Sequence, residues 1–107
     1  MSTARSGDGG TRAVIEVSRI GEGDPLKFRV VLRDAAGETS HDVTMSIETC
    51  ALLTAGAHEP ERCIEAAFRF LLAREPKELI LRKFDVTQIA RYFPEFGREM
   101  PRYLGRD

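Results

Sequence analysis

Residues 26–46 read LKFRVVLRDAAGETSHDVTMS, and two alternating runs around one turn decide the fold class. In the first run Leu26, Phe28, Val30 and Leu32 fall on one side, and Lys27, Arg29, Val31 and Arg33 on the other. In the second, His41, Val43, Met45 and Ile47 share a side. A period of two with β-branched and aromatic content specifies strands with one buried face. DAAGE between them carries Gly37 and reads as the turn. Working toward the N-terminus, RAVIEVSRI alternates in the same way, with Ala13, Ile15 and Val17 opposed to Glu16 and Ser18, and GEGDP breaks the run. The expectation is a three-stranded antiparallel meander, with strands near 13–20, 26–33 and 40–46, whose single apolar face needs a cover.

Beyond residue 46 the period becomes helical. Ser46 is a suitable N-cap and Gly56 a suitable residue just past a helix end, which predicts a helix near 47–55 facing inward through Ile47, Cys50, Ala51 and Thr54. HEPERCIEAAFRFLLARE predicts a second helix near 60–74 with Pro60 in its first turn. Ile64, Ala67, Phe68 and Leu71 form its stripe, and Cys63, Ala66, Phe70 and Leu72 widen it. A helix apolar over so much of its girth must be covered on two sides, by the sheet and by either the C-terminal helices or a second subunit. Pro76 restarts the chain, a third helix is expected near 77–84 with Ile80 and Phe84 inward, and a fourth near 86–93 through Val86, Ile89, Ala90 and Phe93. Asp85 fits as the cap of that last helix, with Gln88 as its capping-box partner. After Pro94, Phe96, Met100, Tyr103 and Leu104 are available for docking, but Gly97 and Pro101 predict an irregular tail. The fold class is thus α+β, a β-meander packed against a helical C-terminal half of about four helices. At 107 residues the size suits one domain over 12–107. The small, polar, Gly-rich segment 1–11 reads as disordered.

Charge excludes little. A net charge of −1 is not that of a general polyanion binder. The balance shifts mildly along the chain, with 8 Lys and Arg against 11 Asp and Glu up to residue 73, and 8 against 6 beyond it. No run approaches the length of a membrane span, and the first residues have no apolar segment of the secretory kind. The expected setting is the cytoplasm, with Cys50 and Cys63 reduced and buried.

Residue types that carry chemistry are few and badly spaced for it. Ser40, His41 and Asp42 are consecutive in a strand, so His41 points away from both neighbours and no relay forms among them. His41, Cys50, His58 and Cys63 lack the tight pairs of structural zinc sites. No glycine-rich phosphate loop is present. These observations predict no enzyme, no metal and no cofactor. The outward sheet positions contain no aromatic residue on which a base could stack, and their mixed charges suggest cross-strand pairing.

The run EAAFRFLLAREPKELILRKFDVTQIARYFPEF (Glu65–Phe96), with HDVTMS before it, resembles a group of small bacterial proteins to which no activity is attached. The resemblance implies a small α+β domain and carries over no functional residue. The function expected is therefore that of a non-enzymatic interaction module, acting by self-association, as a homodimer for instance, or by binding a protein partner. A DNA-binding regulator using a helix pair over 77–93 is the alternative. In both readings the candidate surface is Gln88, Arg91 and Tyr92, with Lys77, Arg82 and Lys83 beside them. Against the DNA reading, Asp85 stands in the turn where such motifs favour glycine.

Overall fold

The structure is a computed structural model, and it describes residues 13–105. The segment expected to be disordered, 1–11, lies outside the described residues. The three expected strands form as β1 (Val14–Gly21), β2 (Leu26–Asp34) and β3 (Gly37–Met45), joined antiparallel in sequence order. Their register sets Val17 opposite Val30 and Val30 opposite His41, so the inward side chains line up in rows across the sheet. Leu26, Phe28, Val30, Leu32, His41, Val43 and Met45 are all buried. Asp34 organises the β2–β3 turn by accepting the Ala36 N–H at 2.8 Å, and Gly37 follows at φ +132°, a value that favours glycine.

Helix α1 (Ile47–Thr54) starts at Ser46, whose hydroxyl accepts the Thr49 N–H at 2.9 Å. It ends in a left-handed pair, Ala55 at φ +55° and Gly56 at φ +75°. The cap takes Ile47 out of the strand, so Ile47 is exposed, as is Ala51, contrary to the expected inward face. This short helix buries only Cys50 and Thr54, one turn apart on a narrow stripe.

Helix α2 (Pro60–Leu72) is the centre of the domain. It buries Cys63, Ile64, Ala66, Ala67, Phe68, Phe70 and Leu71. Phe68 faces the sheet, 5.5 Å from the His41 ring and 5.9 Å from Phe84. Phe70 faces the other way and receives Phe93, Phe96 and Tyr103 edge-on, with centroids at 5.8, 5.0 and 5.8 Å. The Arg74 guanidinium lies 3.7 Å from the Phe70 centroid and pairs with Glu95 at 3.1 Å.

Much of that second cover comes from a helix the sequence argues against. The tail is not irregular but forms a nine-residue helix, Phe96–Leu104, labelled α4 below. Pro101 costs it one backbone bond, but Phe96, Met100 and Leu104 recur at the helical spacing and bury against α2. The Arg62 guanidinium donates to the Leu104 carbonyl, satisfying an acceptor that the helix end leaves open.

Residues 77–84 do not form the expected helix. After a single 3-10 turn, Lys77–Leu79, the chain extends into a fourth strand, β4 (Lys83–Asp85), which pairs parallel with β3. The sheet is therefore mixed, in the order β1-β2-β3-β4. The expected helix near 86–93 is a 3-10 turn, Val86–Gln88, continued by one α-helical turn, Ile89–Tyr92, which is α3.

The aromatic cluster on the far side of α2 makes Phe70 the position whose truncation costs most there. Phe70→Ala is expected to lower the unfolding free energy by about 3–5 kcal/mol. Denaturant titration followed by circular dichroism measures this, and a loss under about 1 kcal/mol would contradict the packing described.

Candidate interaction surface

Leu79 closes the 3-10 turn and the backbone becomes extended at Ile80; across this junction Ile80 enters the core while Leu79 and Leu81 stand out to solvent. Two buried groups hold it in place. The ring of His41 lies wholly inside the protein, with Nδ1 2.7 Å from the Leu81 carbonyl and Nε2 2.8 Å from the Thr39 hydroxyl. A carbonyl can only accept, so Nδ1 carries the proton and Nε2 accepts from Thr39. Burial holds the His41 pKa below the ordinary histidine value, and the cation is the disfavoured form. One residue on, the Arg82 carbonyl accepts the Asp42 N–H at 2.8 Å and opens the parallel pairing.

The second group is Lys77. Its side chain is 1% exposed, and its ammonium lies 2.7 Å from Asp34 Oδ1 and 2.6 Å from Glu78 Oε2. Lys77 therefore does not belong to the outward surface expected for it. It ties the 3-10 turn to the β2–β3 turn, and it is spent on that. The hydrogen bond from Lys77 holds Asp34 below the usual aspartate range, and the one to Asp34 raises Lys77 above the usual lysine range. The pair is thus intact from mildly acidic to mildly alkaline pH.

Past β4, Asp85 caps the following turn in the expected way. Its carboxylate accepts from the Thr87 N–H at 3.0 Å, the Thr87 hydroxyl at 2.7 Å and the Thr44 hydroxyl at 2.6 Å. Although burial opposes it, those hydrogen bonds hold its pKa below the usual range. Gln88 Oε1 accepts the Asp85 N–H at 3.0 Å and completes the capping box. Gln88 is thus a structural residue first. Arg91, Tyr92, Arg82 and Lys83 are exposed. The helix pair that DNA reading would use is not formed, since 77–79 is a single 3-10 turn, 83–85 is a strand and α3 has four residues.

Between these elements lies a pocket of about 230 Å³. Leu71, Ile80, Phe84, Ile89 and Phe93 line it from the core side. Leu79, Leu81 and Tyr92 stand around it, 66%, 46% and 65% exposed. Glu75 and Gln88 supply its polar groups. No local pattern signals the pocket, because the apolar spacing over 77–84 suggests a helix, whereas the chain leaves a 3-10 turn at Leu79 and reaches strand only at Lys83.

Other chemistry-bearing groups are occupied internally. Cys50 and Cys63 are buried free thiols, and burial, followed by the neighbouring Cys50, pushes Cys63 up to about 12. A thiol so protonated is a poor nucleophile. Among the described residues no three His, Cys, Asp or Glu side chains converge as metal ligands would. On the uncovered face of the sheet the charges pair across strands, as expected. Arg33 is bidentate to Glu16 at 2.9 Å and reaches Glu38 at 3.0 Å, while Arg29 meets Asp42 at 3.0 Å. A recess there, near β4, brings Lys27 and Lys83 beside Asp42 and Asp85, a mixed set with no net preference for one sign. No helix among the described residues is long and apolar enough to cross a membrane. Comparison with protein-family models, curated proteins and solved structures found no match to this chain.

The His41 clamp has a pH signature. A group whose folded-state pKa is depressed leaves stability intact above its unfolded value, near 6.5 for histidine, and loses it as pH falls toward the folded value. Unfolding free energy is therefore expected to decline as pH is lowered from 7 toward 5, before the Asp34 pair is affected. His41→Gln, which keeps a donor for the Leu81 carbonyl but does not titrate, is expected to flatten that decline. An unchanged slope in the variant would remove His41 as its source.

Proposed function

We propose that this protein is a non-enzymatic interaction module that takes a segment of a protein partner at the pocket beside β4. One observation carries the reading: Leu79, Leu81 and Tyr92 are held exposed together around an apolar pocket. Exposed apolar side chains scattered singly are ordinary, but three gathered at a concavity with a core floor favour a binding site. The wall is fixed by backbone contacts to His41 and Asp42, so little ordering entropy is lost on binding. The exposed cations Arg82 and Arg91, next in sequence to Leu81 and Tyr92 of the rim, favour a partner segment with one bulky apolar anchor beside Asp or Glu. The volume suits one large side chain rather than an extended ligand. The proposed setting is the cytoplasm.

A random-sequence peptide display library selected on the purified chain tests this. Enriched peptides are expected to carry an aromatic or large aliphatic residue next to acidic ones. Leu81→Asp, at an exposed position, is expected to weaken their binding at least tenfold in fluorescence anisotropy, and raised salt to weaken it further. No enrichment, or binding indifferent to Leu81→Asp, would overturn the reading. A mixed-sequence DNA duplex in the same assay at low salt is the comparison probe; binding to it in preference to the peptides would do the same.

A further inference from the structure

The opposite end of the sheet carries a second unfinished surface. β1 is an edge strand, paired only with β2. Among the described residues no other backbone group bonds to its outer edge. Natural edges are blunted by proline, lysine or bulges. Val14–Gly21 contains neither residue; its register with β2 is regular from Val14 to Arg19 and shifts at Ile20, which leaves Ile20 on the uncovered face. Val14 and Ile20 stand 54% and 49% exposed on the face that no helix covers. On the helix side Ile15 and Val17 are only partly buried at the margin of the core.

We infer that a second copy of this chain covers this edge, β1 pairing antiparallel with its own counterpart about a two-fold axis at Val17. Directly opposed residues of an antiparallel pair share a face, so symmetric registers differ in steps of one residue in the position of the axis. With the axis at Val17, Val14 lies opposite Ile20 of the other copy, Glu16 opposite Ser18, and Val17 opposite itself. The two exposed apolar residues of β1 then cover each other. Moving the axis to Glu16 opposes two like carboxylates, which is destabilising, and leaves Ile20 without a partner. Moving it to Ser18 sets Glu16 against Ile20 and leaves Val14 uncovered. The strand's own sequence therefore selects one register. The occupant it favours is its own copy, because both halves of the apolar match are on one strand and the contact closes as an isologous pair. This inference does not depend on the pocket beside β4.

Sedimentation equilibrium of the full chain from 5 to about 500 micromolar is expected to show a species of twice 12.0 kDa. Position 18 is exposed, so charge can be placed there without disturbing the core. Ser18→Glu sets two acids against each other in the Val17 register and is expected to raise the dimer dissociation constant at least tenfold; it would do the same with the axis at Ser18, so the lysine variant discriminates the two. Ser18→Lys sets opposite charges together and is expected to hold or lower it. Val14→Lys with Ile20→Lys is expected to give a monomer with unchanged circular dichroism. A monomer throughout, a dimer that ignores these changes, or equal weakening by Glu and Lys at position 18 would each overturn the inference. Peptide binding at the pocket is expected to survive Ser18→Glu, which separates a failure here from a failure there.

Discussion

Helix α2 has too little polar circumference to lie on a sheet with its back to water, and this constraint organises the domain. One side carries Phe68 against the sheet, and the other carries Phe70 into Phe93, Phe96 and Tyr103. The small residues Ala66 and Ala67 precede both in sequence and are themselves fully buried. The second side demands a partner, and the chain's own C-terminus supplies it. The sequence left two candidates for that cover, further helices or a second subunit. With α4 in place, α2 no longer argues for association, and any case for a second copy has to be made elsewhere, at the sheet edge.

The same constraint explains the placement of the segment between α2 and α4. After Leu72 the chain must cross back to the sheet and then return to α2. It does so through Lys77, whose ammonium is held by Asp34 and Glu78, and through Leu81, whose carbonyl is held by His41. Both anchors belong to the backbone or to polar side chains, so the apolar side chains of Leu79 and Leu81 are not used in docking the segment. They face outward because the interior at this point is already filled by Ile80 and Phe84. An exposed apolar wall follows from how the crossing is fixed, and its proximity to Tyr92 turns it into one side of a pocket.

What was legible in the sequence was local. Period-two alternation placed three strands and their faces, Ser46 and Asp85 were recognisable as caps, and the girth of α2 was plain. The rest depended on distant partners. Ile80 and Phe84 are four residues apart, a spacing that suits one face of a helix and one face of a strand equally. The choice is made by Asp42, Val43 and Thr44 of β3, some forty residues earlier in the chain. Gly97 and Pro101 speak against a helix locally, and only burial of Phe96, Met100 and Leu104 on α2 overrides them. Lys77 reads as a solvated cation because its partner Asp34 lies in a different turn. Of the candidate surface, Tyr92 and the cations Arg82, Lys83 and Arg91 were named from sequence, whereas Leu79 and Leu81 were missed because a helix at 77–84 would have scattered them.

The two open surfaces lie at opposite ends of one sheet, and that bears on how they would work together. Pairing through β1 gives the order β4-β3-β2-β1 continued by β1-β2-β3-β4 of the second copy. The pockets beside the two β4 strands then sit at the outer ends of a continuous eight-stranded sheet, neither occluded by the interface. Because the twist between neighbouring strands accumulates across a sheet, the two pockets would face different directions. Such an arrangement suits a partner that presents the recognised segment twice on a flexible chain, or two partners brought together. In either case the second engagement becomes intramolecular, and a pocket that holds one side chain weakly can give a stable assembly. The proposed single-anchor pocket and the proposed self-pairing edge are thus mutually consistent: a site that buries one side chain would bind modestly alone, and pairing through β1 would multiply it.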